Sequence, residues 1–219
     1  MKKISEFLLD FLFPASKKAA RIEKMTASDF RKEIGVGDAM GARGDKDIHP
    51  LFEYRHPLVR EAIWQIKYKG NRKITKLLSE ILYEEIVAEI EDRALFENFK
   101  NPLLIPVPTS KKRLQKRGFN QMELLGGELK SLDENRTFEF SPGILIKIKD
   151  TLPQTLLKDR RLRLGNLVGC FAVTDAQKIK NRNIILIDDV LTTGATLAEA
   201  KRALINAGAR RVIAFTLAH

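Results

Sequence analysis

Four apolar residues in a row, Ile184 to Ile187, run directly into two acids, Asp188 and Asp189. An unbroken apolar run is the pattern of a strand covered on both faces, as in a parallel sheet. Leu103 to Pro108 reads as another such strand ending in a turn, and Val212 to Leu217 as the last one. Between them the spacing changes to a helical period. Leu58, Ala62, Ile63 and Ile66 predict a helix opened by Pro57 and ending near Lys67-Tyr68-Lys69-Gly70. Leu77, Leu78, Ile81, Leu82 and Ile86 predict a second helix from about Lys73 to Asp92. Gly118-Phe119-Asn120-Gln121 opens a third, to about Leu132, and Ala195 to Asn206 is a fourth, with Gly208 placed as a C-cap glycine. Shorter strands are expected at Leu51 to Tyr54 and Ile144 to Ile148, and Trp64 is assigned to the core.

Alternating apolar strands and helices predict an α/β fold, a parallel sheet with helices on both faces. The N-terminal part reads differently. Ile4, Phe7, Leu8, Phe11 and Leu12 share one face of an amphipathic helix that Pro14 ends. A polar helix is expected over Lys17 to Arg31, and the four glycines of Gly35 to Gly44 predict a mobile loop. Residues 1–48 are therefore a small helical extension, and residues 49–219 the main domain.

Composition narrows the class. Of 219 residues 44% are apolar, enough for a core, and the formal net charge is +11, which favours anionic partners. The single cysteine, Cys170, excludes an intrachain disulfide framework and a thiolate zinc site. No run is long enough for a membrane span, and Glu6 and Asp10 interrupt the N-terminal apolar run against a signal peptide, so a cytoplasmic location is expected.

The chemistry centres on the end of the 184–187 strand. Gly194 lets the backbone approach an anion, and the first amides of the following helix point at one place where the helix dipole favours negative charge. Thr192, Thr193 and Thr196 add hydroxyls, with Ala195 opening the helix, so the loop suits a phosphate. The carboxylates of Asp188 and Asp189 suit sugar hydroxyls instead. Together they read as a site for a ribose 5-phosphate group. The strand Leu103 to Pro108 is followed by a basic run, Lys111, Lys112, Arg113, Lys116 and Arg117, suited to a diphosphate. Residues Asp150 to Asn166 read as an active-site lid or a crossing loop.

Residues 183–196 resemble the phosphoribosyltransferase signature. Three further blocks narrow the resemblance: Lys67-Tyr68-Lys69-Gly70; Pro106-Val107-Pro108 with Arg113 and Arg117-Gly118-Phe119-Asn120-Gln121; and Gln154 with Arg163, Asn166, Gly169 and Phe171. In that order they look like the competence protein F (ComF) family, from about Leu51 to the C-terminus. The resemblance implies a type I phosphoribosyltransferase-like fold and transfer of the phosphoribosyl group of 5-phosphoribosyl 1-diphosphate, with loss of diphosphate. It puts Asp188 and Asp189 on the ribose hydroxyls and Thr192, Thr193, Gly194, Ala195 and Thr196 around the 5-phosphate. Thr109, Ser110 and Lys111 become candidates for the diphosphate, and Arg117 and Arg163 for diphosphate or acceptor. Magnesium (Mg2+) would arrive on the diphosphate rather than in a protein-built metal site. Family members usually carry a four-cysteine zinc module after the Phe-Pro at Phe13-Pro14. Residues 15–48 here hold neither cysteine nor histidine, so no zinc is expected.

Two rival readings keep the pocket without turnover. One is a competence-associated factor that binds single-stranded DNA or a DNA-uptake helicase. Phe119 is the one aromatic within the basic run, a weak signal for base stacking. The other is a sensor of phosphoribosyl diphosphate or a nucleotide. The family fold often pairs, so a homodimer belongs to the same expectation. None of His49, His56 and His219 lies in a motif, and all three are expected at the surface.

Overall fold

The computed structural model describes residues 16–35, 46–149 and 168–219. In chain order the described elements begin with helices α1 (Lys17–Ile22) and α2 (Ala27–Ile34) and strand β1 (Ile48–Phe52). Helix α3 (Pro57–Trp64) runs into a π-turn (Gln65–Lys69), followed by α4 (Arg72–Glu97) and β2 (Leu103–Pro106). Next come α5 (Lys111–Arg117), α6 (Gln121–Leu132), β3 (Glu139–Phe140), β4 (Leu145–Lys147) and β5 (Phe171–Val173). The chain closes with α7 (Ala176–Ile179), β6 (Asn183–Val190), α8 (Ala195–Asn206) and β7 (Arg211–Ala218).

Five strands form one parallel sheet in the order β1-β7-β6-β2-β3. Strand alternation sorts their side chains into two cores. Leu104, Ile185, Ile187, Ile213 and Phe215 face the core shared with α1 to α4 and α6. Leu103, Ile105, Ile184, Leu186 and Val212 face the other, closed by Leu197, Ala200 and Leu204 of α8 and by Leu145 and Phe171. Both faces are covered, which is why the strands read as unbroken apolar runs rather than alternating ones.

The crossovers locate the functional edge. From β2 the chain passes through α6 on the first face and steps outward to β3. From β6 it passes through α8 on the second face and steps the opposite way to β7. Strand order therefore reverses between β2 and β6, and the crevice beyond their carboxyl ends is the topological switch point, where open α/β sheets bind ligands. Register fixes the two ends side by side: Pro106 pairs with Ile187, and the Val107 N–H donates to the Ile187 carbonyl at 3.0 Å.

Several elements differ from the sequence expectation for identifiable reasons. The polar helix of 17–31 is two helices. Ser16 caps α1, Thr26 and Asp29 form a capping box on α2, and Ile22 and Phe30 are fully buried against the main core. Strand β1 begins at Ile48 rather than Leu51 because it pairs along β7, and as an edge strand it tolerates Pro50. Helix α4 runs to Glu97, five residues beyond Asp92, where Arg93 binds Asp47, Glu89 and Glu97. The strand expected at 144–148 is β4, which pairs antiparallel with β5 in a separate hairpin rather than joining the main sheet. Trp64 is not a core residue: it is 37% exposed, on the outer side of α3. The amphipathic helix of 4–13, most of the glycine loop and the lid of 150–166 lie outside the described residues.

Candidate functional site

Strand β6 continues beyond its apolar run to Val190, so both acids are still in the sheet, with Asp188 opposite Thr216 of β7. Neighbouring strand residues point to opposite faces. Asp189 follows Ile185 and Ile187 toward the helical face carrying α6 and the π-turn. There its Oδ1 meets the Lys67 ammonium at 3.0 Å, and its Oδ2 accepts from Gln121 Nε2 at 2.9 Å. Asp189 is thus buried and anchored at both oxygens.

Asp188 is placed otherwise. One of its oxygens accepts the Asp189 N–H at 2.9 Å, and the side chain is partly buried. Burial and the neighbouring Asp189 charge push its carboxyl up to about 7, while the Asp189 amide, Lys67 and Lys147 pull the other way. Asp188 therefore exchanges its proton near neutral pH.

Beyond Val190 the chain turns sharply. Gly194 has φ 75°, in the left-handed region that a side chain disfavours, and α8 starts at the next residue with no side-chain cap from Gly194. Thr193 Oγ1 accepts the Ala195 N–H at 3.4 Å. Residues 192–196 thus form a short loop into a twelve-residue helix whose positive end opens beside the acids. On the second face, Glu199 of α8 accepts the Gly169 N–H at 2.6 Å and so ties the approach to β5 onto α8.

The loop after β2 ends at the same edge. Ser110 is buried and caps α5 by accepting the Arg113 N–H at 3.4 Å. The basic run is therefore a helix, with Lys111, Lys112, Arg113 and Lys116 exposed along it. Gly118, at φ 82°, ends it and lets α6 set off in a new direction. Arg117 turns inward: its Nη1 donates to Gln121 Oε1 at 3.1 Å, and its guanidinium carbon lies 4.9 Å from the centre of the Tyr68 ring.

The π-turn joins these parts. Such turns insert an extra residue into a helix and recur at functional positions. Here the turn aims Lys67 at Asp189 and leaves Tyr68 facing outward. Gly70 closes it by donating to the Gln65 carbonyl, at φ 59°. A Cβ on Gly70 would lie 3.1 Å from Cζ of Phe119, so conformation and space both demand glycine there.

The family model described as phosphoribosyl transferase domain matches residues 129–219. Competence protein ComFC of Bacillus subtilis is 32% identical over 183 residues, covering 83% of this chain and 67% of that protein. The chain belongs to the ComF family. DNA utilization protein YhgH of Escherichia coli is 28% identical over 167 residues, covering 73% of this chain and 66% of its own length. The chain spans about two thirds of the length of the curated relatives it matches. Among solved structures, a glutamine phosphoribosylpyrophosphate amidotransferase from B. subtilis aligns with 71% of this chain and 30% of its own, at 14% identity and a TM-score of 0.41. The chain is thus a phosphoribosyltransferase-type protein of a family linked by name to competence and DNA utilisation.

Two of the family blocks, far apart in sequence, meet at Asp189. Lys67 and Gln121 bind it directly, and Arg117 and Phe119 reach back to Tyr68 and Gly70. Asp188, Asp189, residues 192–196 and the loop Thr109 to Lys111 all lie at the carboxyl edge of β6 and β2. Arg163 lies outside the described residues. Lys67, Gln121 and Lys147 were not singled out from the sequence. Lys67 and Gln121 stood within the family blocks, but nothing local showed that both reach one carboxylate. The histidines have other work: His49 stacks on Phe215, His56 caps α3 by accepting the Leu58 N–H, and exposed His219 meets the Phe52 carbonyl. His49 and His56 are half-buried rather than superficial. Among the described residues no group of three or more His, Cys, Asp or Glu is arranged to hold a metal, and no helix is long and apolar enough to cross a membrane.

Proposed function

We propose that the crevice between β2 and β6 binds 5-phosphoribosyl 1-diphosphate, with magnesium carried on the diphosphate, and transfers the phosphoribosyl group to an acceptor with release of diphosphate. The supporting observation is the place of the acid pair: Asp188 and Asp189 stand at the switch point, immediately before the glycine-hinged turn into α8. Residues 192–196 take the 5-phosphate. Asp188, with one oxygen on its own chain and a carboxyl near neutrality, accepts from the ribose hydroxyls. Asp189, fixed by Lys67 and Gln121, sets the position of that edge and offers its remaining lone pairs. Thr109 and Lys111 face the diphosphate, while Ser110 is committed to the cap of α5. Arg163 keeps its role as a candidate for diphosphate or acceptor.

Positive charge develops on the sugar carbon as the bond to diphosphate breaks, and negative charge grows on the leaving group. Carboxylates under the ribose and cations beyond the diphosphate are the distribution that favours that step. The test is release of diphosphate from the magnesium complex across a panel of acceptors, in wild type and in Asp188→Ala/Asp189→Ala. Acceptor-dependent release present in wild type and absent in the double variant is expected. Binding without release for every acceptor would overturn transfer.

That outcome would favour the sensor reading, in which the pocket holds phosphoribosyl diphosphate or a nucleotide without turnover. It is supported by the commitment of all three histidines and of Asp189 to structural contacts, which among the described residues leaves Asp188 as the one group near the site poised to take a proton at neutral pH.

A further inference from the structure

The outer face of α4 changes character along its length. Glu84 and Glu85 are met by Arg31 of α2, at 3.0 and 2.8 Å, and Phe30 next to Arg31 is fully buried. A short helix with a cation and an apolar anchor thus covers that stretch. Further along, the face continues with Ala88, Glu91, Asp92, Leu95 and Phe96, all exposed and all within about 140° of one another around the helix axis. Leu95 is 78% and Phe96 87% exposed, more than any other large apolar side chain among the described residues. Among the same residues no cation pairs with Glu91 or Asp92, although the chain holds 39 Lys and Arg against 28 Asp and Glu. Large apolar groups left in water beside acids without counterions mark a surface that something else covers.

The matching surface is on the molecule itself. Helix α5 buries no residue, exposes Lys111, Lys112, Arg113 and Lys116, and leaves Leu114 43% exposed one turn after Lys111. Like α2, it offers cations with an apolar side chain, and the end of α4 offers acids with a leucine and a phenylalanine. Charge and apolar anchors are therefore complementary. The two surfaces do not meet within one copy. Helix α4 ends where the chain enters β2, at the sheet edge opposite the crevice, and α5 follows the carboxyl end of β2. A contact between them joins different patches of two copies, so it is heterologous and runs head to tail.

We propose that the C-terminal end of α4 in one copy docks α5 of a second copy of this chain. Two short helical faces bury less than a standard interface, so the association is weak and rises with concentration. Docking occupies Lys111 and so opposes a diphosphate there. That consequence alone rests on the function proposed above.

The full chain is followed by sedimentation equilibrium over a rising concentration series at low salt, without ligand. The average mass is expected to climb past the dimer without a plateau, and to fall back toward the monomer at high salt. Glu91→Lys/Asp92→Lys and Lys111→Glu/Lys112→Glu should each weaken association at least about 10-fold, because each sets like charges face to face. Mixed in equal amounts, the two variants should regain it, since each then offers the other an opposite charge. That recovery also shows that both are folded. Phe96→Ser, at a position outside the core, should weaken association as well. A chain that stays monomeric at every concentration, a closed dimer that both charge variants leave intact, or a mixture no more associated than its parts would each overturn the proposal. Association in a chain that binds no phosphoribosyl diphosphate would keep the contact and remove the function proposed above.

Discussion

Two clusters of charge sit at opposite ends of the same sheet, and they are built differently. At the amino edge Arg93, Lys201 and Arg211 meet Asp47, Glu89 and Glu97 in matched numbers. Burial alone would raise the Asp47 carboxyl, but hydrogen bonds and charge from Lys201 and Arg93 outweigh it and hold it below its ordinary range. At the carboxyl edge the Lys67 ammonium and the Gln121 amide both go to Asp189, and Asp188 beside it is pushed up to about 7. A balanced cluster stabilises its fold. An unbalanced one leaves charge for something outside the chain to satisfy, and strongly perturbed groups in a crevice mark such sites.

The largest effect should come from breaking the balanced cluster. Arg93→Met removes the cation that Asp47, Glu89 and Glu97 have in common and should cost about 3–5 kcal/mol. Read as Tm, that is a fall of roughly 6–20 °C in a chain of this size, with ligand affinity of the folded protein unchanged. A melt indistinguishable from wild type would break the comparison. Next is Gln121→Leu, which leaves Asp189 Oδ2 and Arg117 without their partner. About 1–3 kcal/mol of stability should go, measured by urea unfolding, and phosphoribosyl diphosphate affinity with it. Asp188→Asn should act with the opposite sign, raising stability by about 0.5–2 kcal/mol at pH 7.5 while weakening the ligand. Lys201→Met, a half-exposed partner of Asp47, should cost under about 1 kcal/mol.

The two carboxylates also predict opposite pH behaviour. Asp188 holds its proton in the folded protein to about pH 7 but releases it near 3.8 when unfolded, so its contribution to stability is lost as pH rises through that window. Asp47 titrates below its ordinary 3.8 in the folded protein, so its contribution is present above that value and lost as pH falls through the lowered one. Stability curves of Asp188→Asn and Asp47→Asn should therefore meet wild type at low pH and part from it with opposite signs as pH rises, Asp47→Asn falling below it by about 3.8 and Asp188→Asn climbing above it toward pH 7. Parallel curves would contradict the assignment. For the same reason ligand affinity should rise with pH through about 7, as Asp188 ionises to accept sugar hydroxyls.

What could be read in the sequence followed from local causes. The apolar run of β6, the acids at its end, Gly194 and the period of α8 depend on neighbours within one element, and the structure has all of them in place. The register that sets Thr109 to Lys111 beside Asp188 was legible only as a consequence of parallel strands. What escaped was tertiary. Lys67 and Asp189 are far apart in the chain, and only the extra residue of the π-turn aims one at the other. Trp64 fits the apolar period of α3 loosely enough to read as core, yet it falls on the outer side. The segment 16–34 looked polar because Ala19, Ile22 and Phe30 are few among charges, although each is buried. The amino-edge cluster left a sequence signal only in the i,i+4 spacing of Glu89, Arg93 and Glu97 on α4, because the other members come from the approach to β1, from α8 and from the start of β7.

The most direct measurement is calorimetric titration of 5-phosphoribosyl 1-diphosphate with magnesium into wild type and Asp188→Asn/Asp189→Asn at low salt, at pH 6 and pH 8. The structure predicts binding in wild type, tighter at pH 8, and a loss of at least about 100-fold in the double variant with its melt intact, roughly two charge-assisted hydrogen bonds. No binding to wild type, or equal binding to both proteins, would contradict the assignment of this edge as a phosphoribosyl site.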